Sequence, residues 1–304
     1  MIERLLELKK QRNAVILAHY YQSPEIQDIA DFMGDSLQLA QQAKKVEADV
    51  ILFCGVHFMA ETAKILNPNK IVLVPDMEAG CSLADSTPKD KFQEWINQHP
   101  EHTVISYINC SADVKAMSDI ICTSSNAELI VNSLDKDTPI LFAPDKYLGA
   151  YINKKTGRNM IVWDGSCQVH EIFSEIEVMN LIKKYPNAEV LAHPECPENI
   201  LAYADFIGST QKIIQESVKR DSKEFIILTE SGIIHELKKK APGKEFYAVP
   251  NINGCSCNEC PYMKLNTIEK MIKALENLEP QIIMDEATRL KALAPLERML
   301  EISK

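Results

Sequence analysis

No run of apolar residues in this chain of 304 approaches the roughly 18–20 that a bilayer-spanning helix needs, which argues against a membrane protein. Positive charge is also scarce: 33 Lys and Arg stand against 43 Asp and Glu, a formal charge of −10. A nucleic-acid surface calls for a basic face interleaved with aromatics, and none of the short Lys runs has one. Lys238, Lys239 and Lys240 read instead as the solvated last turn of a helix, where cations meet the negative end of the dipole. There is no G-x-G-x-x-G and no P-loop, so nothing supports nucleotide binding. The opening residues, Met1-Ile-Glu-Arg-Leu-Leu-Glu7, begin an amphipathic helix and lack the apolar core of a signal peptide. A cytoplasmic protein with neither nucleic acid nor membrane as partner is expected.

Hydrophobic residues make up 46% of the chain and charged ones 25%, the balance of a globular protein with ample core. The length suits two or three small domains. Nine cysteines require a reason. An odd number cannot pair completely, and a reducing cytosol disfavours disulfides. Cys54, Cys110, Cys122 and Cys196 lie in or beside apolar stretches, and Cys54 and Cys122 read as small buried hydrophobes. Cys81, Cys167, Cys255, Cys257 and Cys260 lie in polar loops, where metal ligands belong.

The chain repeats itself. An apolar run ending in polar residues at 14–21 recurs at 103–109 and 189–195. Each reads as a buried strand with functional side chains at its C-terminal end. Asp31, Asp119 and Asp205 each follow twelve residues after His19, Tyr107 and His193, and each opens a second short apolar run. Those runs end at Ser36, Ser124 and Thr210, which take N-cap-like positions before a helix. Third strands at 50–55, 139–143 and 225–229 lead into helices, and fourth strands at 71–74, 160–163 and 245–249 close each copy. Such alternation implies parallel sheets covered by helices, with ligands at the carboxyl ends of the strands. The expected fold class is α/β: three homologous three-layer α/β/α domains in a pseudo-threefold arrangement around a central site. The units fall at 1–82, 83–169 and 170–258, followed by a helical segment at 259–304.

Each copy ends by offering cysteine from a loop: Cys81, Cys167, and the group Cys255, Cys257 and Cys260. Three thiolates from three domains suit a 4Fe–4S cluster with one open iron. The competing zinc reading rests on the pair Cys257 and Cys260, but no second pair lies at ribbon or finger spacing. The strand ends supply His19, Tyr21, Tyr107, Asn109, His193 and Glu195, of which the two imidazoles, two phenols and the carboxylate can move protons. The hydroxyls of Ser36, Ser124 and Thr210, with helix N-terminal amides, suit carboxylates or phosphate. His57, His170 and His235 are candidates for a supporting role, and His99 and His102 read as surface.

These residues resemble the quinolinate synthase family along nearly the whole chain. The resemblance is carried by Leu17-Ala-His-Tyr-Tyr-Gln22, Gly34-Asp-Ser-Leu37, Tyr107-Ile-Asn109, His193-Pro-Glu-Cys196 and Cys260-Pro-Tyr-Met-Lys-Leu-Asn266. It implies condensation of iminoaspartate (iminosuccinate) with dihydroxyacetone phosphate to quinolinate, in NAD biosynthesis, with a transient contact to the enzyme that supplies the imine. It implies Cys81, Cys167 and Cys260 as ligands of the 4Fe–4S cluster, whose open iron acts as a Lewis acid. His19, Ser36, Tyr107, Asn109, Ser124, His193, Glu195 and Thr210 match substrate-binding positions. Tyr21, Tyr107, His193 and Glu195 match the catalytic ones. Two departures stand out: Tyr20 replaces an Asn common among relatives, and the last cysteines are spaced C-x-C-x2-C. Repeat alignment alone favours Cys255 as third ligand, whereas the match through Pro261, Met263 and Asn266 favours Cys260. The residues also leave open an iron–sulfur dehydratase of another small hydroxy acid, or a non-catalytic iron–sulfur sensor.

Overall fold

A computed structural model describes residues 1–252 and 258–304. Twelve strands form three parallel four-stranded sheets. The first holds β1 (Ala14–His19), β2 (Phe32–Gly34), β3 (Val50–Cys54) and β4 (Ile71–Leu73). The second holds β5 (Thr103–Tyr107), β6 (Ile120–Cys122), β7 (Ile140–Ala143) and β8 (Ile161–Val162). The third holds β9 (Glu189–Ala192), β10 (Phe206–Ile207), β11 (Glu224–Leu228) and β12 (Glu245–Ala248). The orders, β2-β1-β3-β4, β6-β5-β7-β8 and β10-β9-β11-β12, are one topology three times over, as the repeats predict.

The twelve-residue spacing has a physical cause. Asp31, Asp119 and Asp205 each fold back on the preceding strand. Their carboxylates accept the N–H of Ile16, Val104 and Val190, each at 2.8 Å. Their own N–H groups return to the same residues' carbonyls. Both backbone polar groups of one strand residue are thereby satisfied, which fixes where the second strand starts.

Side chains alternate across each sheet with the period of two that strands impose. Val15, Leu17, Ile51, Phe53, Ile105, Phe142, Leu191, Phe225 and Ile227 enter one central core shared by all three repeats. Their sequence neighbours enter three separate outer cores: Ile16 and Leu52 in the first repeat, Val104 and Leu141 in the second, Val190 and Ile226 in the third. Every strand residue named here is buried on its own face, which is why the strands read as continuous apolar runs.

The C-terminal residues strap the outside. Helix Ile268–Asn277 completes the outer core of the first repeat with Met271 and Leu275. Helix Glu286–Ile302 packs on helix Ala112–Ala116 and on β6, bridging to the second repeat. No helix among the described residues is long and apolar enough to cross a membrane.

Candidate active site

The strand ends converge on one cavity. Its wall includes His19 and Tyr21 from the end of β1, Tyr107 and Asn109 from β5, and His193 and Glu195 from β9. Ser36, Ser124 and Thr210 line it from the helix starts, and Cys81, Cys167 and Cys260 from the closing loops. All twelve sequence-derived site residues thus meet in one place. The empty space between these walls, counted out through the open mouth, is about 710 Å³.

Ser36, Ser124 and Thr210 require one correction. The helices Ser36–Ala43 and Thr210–Lys219 are capped by Asp35 and Ser209, whose side chains accept the N–H of Gln38 and Lys212. Ser36 and Thr210 are therefore the first helical residues, and Ser124 precedes the Asn126 cap of helix Ala127–Asn132. Capping falls one residue earlier because Asp and Ser cap at least as well as Thr, which frees the next hydroxyl to face the cavity. The capping residues also pull the repeats together. Ser125 Oγ donates to Asp35 Oδ2 at 2.6 Å and lies 2.7 Å from Ser209 Oγ, one contact to each of the other two repeats.

Hydrogen bonds define the polarity of the wall. Tyr107 donates to Glu195 Oε1 at 2.5 Å. The other carboxylate oxygen lies 3.0 Å from His170 Nδ1, and His170 Nε2 lies 2.9 Å from the Thr229 hydroxyl. Thr229 in turn lies 2.6 Å from the Tyr21 hydroxyl, which also meets Thr210 at 2.9 Å. One unbroken chain therefore runs from Tyr21 through Thr229, His170 and Glu195 to Tyr107, touching all three repeats. Nδ1 of His19 accepts the Tyr21 N–H, and Nδ1 of His193 accepts the Glu195 N–H. A neutral imidazole so placed carries its proton on Nε2, and that of His193 points at Ser124 Oγ, 3.1 Å away.

Burial sets the protonation states. It lowers both His19 and His193 to about 3, so both rings are neutral. It raises Tyr21 and Tyr107 well above an ordinary phenol, reinforced at Tyr107 by the Glu195 charge. Burial opposes ionisation of Glu195, but the His170 and His193 rings and the Tyr107 hydroxyl hold it below the usual carboxylate range. The wall thus combines protonated phenols with an ionised carboxylate.

Two residues stand out as receptive. Asn109 Oδ1 is buried without a hydrogen-bond partner among the described residues, as a group waiting for a ligand would be. Cys167, His170 and Glu195 each present a donor atom within 4.8 Å of the others, so a metal ion could be held there.

The three thiols share a local design. Cys81 and Cys167 cap the short helices Ser82–Asp85 and Gln168–Glu171, and Cys260 precedes the turn Met263–Leu265. Backbone N–H groups of the following turn face each sulfur: Leu83 and Ala84 at Cys81, His170 at Cys167, Tyr262 and Met263 at Cys260. Burial nevertheless raises all three, Cys81 to about 12 and Cys260 to about 11. Among the described residues no fourth cysteine lines the cavity. Cys54, Cys110, Cys122 and Cys196 are buried in the cores. Cys255 and Cys257 lie outside the described residues.

Of the supporting histidines, His170 belongs to the site. His57 instead opens helix His57–Leu66 near Glu61, and His235 pairs with Asp28 on the surface. Thr229, Glu230, Asp35 and Asp145 were missed by the sequence reading. Thr229 and Glu230 follow β11 as Pro144 and Asp145 follow β7, so the third strand ends carried a signal too.

With the geometry in view, comparison with known proteins decides the family. Residues 3–301 match the family described as Quinolinate synthetase A protein. The chain belongs to that family. It is 60% identical to the quinolinate synthase of Chloroherpeton thalassium over 100% of this chain and 95% of that protein. It is 58% identical to the quinolinate synthase of Gloeothece citriformis, over 98% of this chain and 92% of the relative. The same identity relates it to the quinolinate synthase of Synechocystis sp., covering 100% and 95%.

Proposed function

We propose that this family member is itself a quinolinate synthase, condensing iminoaspartate (iminosuccinate) with dihydroxyacetone phosphate to give quinolinate, phosphate and water, in the cytoplasmic route to NAD. The observation that carries this reading is the hydrogen-bonded chain from Tyr21 to Tyr107 beside three convergent thiols. The reaction is redox-neutral, because the imine is already oxidised. What it demands of a protein is proton movement and the capture of two anions.

The residues present fit a 4Fe–4S cluster held by Cys81, Cys167 and Cys260. Three thiols, backbone N–H groups facing each sulfur and the absence of a fourth cysteine on the described wall support this assignment. Such a cluster supplies an iron with an open position, a Lewis acid toward substrate oxygen or nitrogen.

The chain's own groups handle the rest. Glu195, ionised and bonded to Tyr107, serves as base for the tautomerisation that follows carbon–carbon bond formation. Tyr107 and Tyr21, whose protons burial holds in place, serve as acids for the departing hydroxyl groups. His170 and Thr229 let a proton lost at one tyrosine be restored from the other side. Ser36, Ser124, Thr210 and Asn109 bind the dicarboxylate and phosphate, with the helix N-termini at Ser36 and Thr210 adding fixed positive potential. His19 and His193, neutral and on the cavity wall, orient the same oxygens without adding charge.

Anaerobic incubation of the reconstituted protein with both substrates tests the assignment. Quinolinate and phosphate appearing together support it. Dehydration of a hydroxy acid with no condensation, or no turnover at all from a cluster-loaded protein, would replace it with a dehydratase or a sensor.

A further inference from the structure

The ends of β3, β7 and β11 carry a difference that the repeats make visible. Strand register aligns Cys54, Ala143 and Leu228, each opposite an equivalent residue of the first strand in its sheet. Two places further on stand Val56, Asp145 and Glu230. The two acids are fully buried. A buried carboxyl group is costly unless it is paired or hydrogen-bonded, so each needs a partner that repays its burial.

For Glu230 that partner is the loop that carries a candidate iron ligand. Glu230 Oε1 accepts the Cys260 N–H at 3.1 Å and meets Lys264 Nζ at 3.0 Å. Glu230 Oε2 accepts the Gly232 N–H at 2.6 Å. Lys264 also donates to the Tyr21 carbonyl at 2.8 Å, reaching from the C-terminal segment into the first repeat. In the second repeat, Asp145 Oδ1 accepts the Leu148 N–H of its own helix, and Oδ2 is buried without a hydrogen-bond partner among the described residues. The backbone beside it is bridged to Gly165, two residues before Cys167. The first repeat has Val56 at this position; there the His57 N–H donates to the Ala79 carbonyl at 2.7 Å, and Asp76 of the loop pairs with Lys270.

We propose that Glu230 and Lys264 are positioning residues that seat Cys260 for iron ligation and tie its loop to the backbone of Tyr21. The proposal rests on Cys260 being an iron ligand. Neither residue needs to touch substrate for this role. Their effect passes through where a sulfur sits and, for Lys264, through where the Tyr21 main chain is held.

The test is iron retention, which needs no substrate. Reconstituted holoprotein is challenged anaerobically with a ferrous chelator, and loss of the brown absorbance is followed in wild type, Glu230→Gln, Lys264→Met and Lys264→Arg. Glu230→Gln and Lys264→Met are expected to lose iron roughly 10–100-fold faster, the usual penalty for removing an outer partner of a metal ligand. Lys264→Arg, which keeps the charge, is expected to recover most of the resistance, and the surface variant Lys239→Met to match wild type. If Glu230→Gln does not fold, Lys264→Met decides by the same criterion, together with the neutral pair Glu230→Gln/Lys264→Met. Folded variants that hold iron as tightly as wild type, while Cys260→Ser loses it, overturn the positioning role alone. Full iron in Cys260→Ser overturns the ligand assignment and this proposal with it.

Discussion

The Tyr107 hydroxyl donates to Glu195 Oε1 at 2.5 Å, joining the end of β5 in one repeat to the end of β9 in the next. The bond is shielded from water, since both side chains are almost completely buried. It is also charge-assisted, which makes it stronger than a neutral pair. Burial, reinforced by the Glu195 charge and this bond, keeps the proton on the phenol, while His170 and the same bond favour the ionised carboxylate, two states that acid and base catalysis require side by side.

Breaking that pair should stop chemistry without dismantling the site. Tyr107→Phe and Glu195→Gln are expected to keep full iron content and lose roughly 10²–10⁴-fold in quinolinate formation, the usual cost of a lost proton-transfer group. Tyr21→Phe should behave alike. Rate and iron per chain, measured on the same anaerobic preparation, check this.

The chain through His170 makes a sharper statement. If Thr229 and His170 connect Tyr21 to Glu195, residues along it act as a unit and their losses do not add. The double variant Tyr21→Phe/His170→Gln should be hardly slower than the worse single variant. Losses that multiply would mean that the two groups act separately.

Much of this was legible in the sequence, and the reasons are specific. The shared twelve-residue spacing shows because Asp31, Asp119 and Asp205 make the same pair of backbone bonds. The strand ends show because apolar runs stop abruptly at His19, Tyr107 and His193. His170 was harder to place, because it belongs to no repeated strand end and gains its meaning only from Cys167, Glu195 and Thr229 brought around it. Ser36 and Thr210 were offset by one residue because two hydroxyl or carboxyl side chains in succession both satisfy a capping pattern.

The thiols offer a direct check. Replacing Cys81, Cys167 or Cys260 by Ser should each abolish the brown colour of the reconstituted protein, since three ligands leave none to spare. A full cluster in Cys260→Ser with loss in Cys255→Ser would move the third ligand.

Gly165 tests the loop geometry. A Cβ there would lie 2.5 Å from the Pro144 carbonyl and against Ser86 Oγ, so the backbone leading to Cys167 must shift. Gly165→Ala is expected to cost about 1–3 kcal/mol, the range for overpacking, and to lower iron per chain. Denaturant unfolding and iron analysis read the two effects.

The central claim is that this centre condenses its substrates by proton transfer and Lewis-acid chemistry, with no electrons consumed. The most direct measurement is repeated turnover without any reductant, comparing wild type with Glu195→Gln at equal iron content. The account predicts quinolinate and phosphate in equal amounts over many turnovers for wild type, and a rate lower by roughly 10²–10⁴-fold in the variant. Full activity in Glu195→Gln, or a wild-type enzyme that needs an external reductant for each turnover, would contradict it.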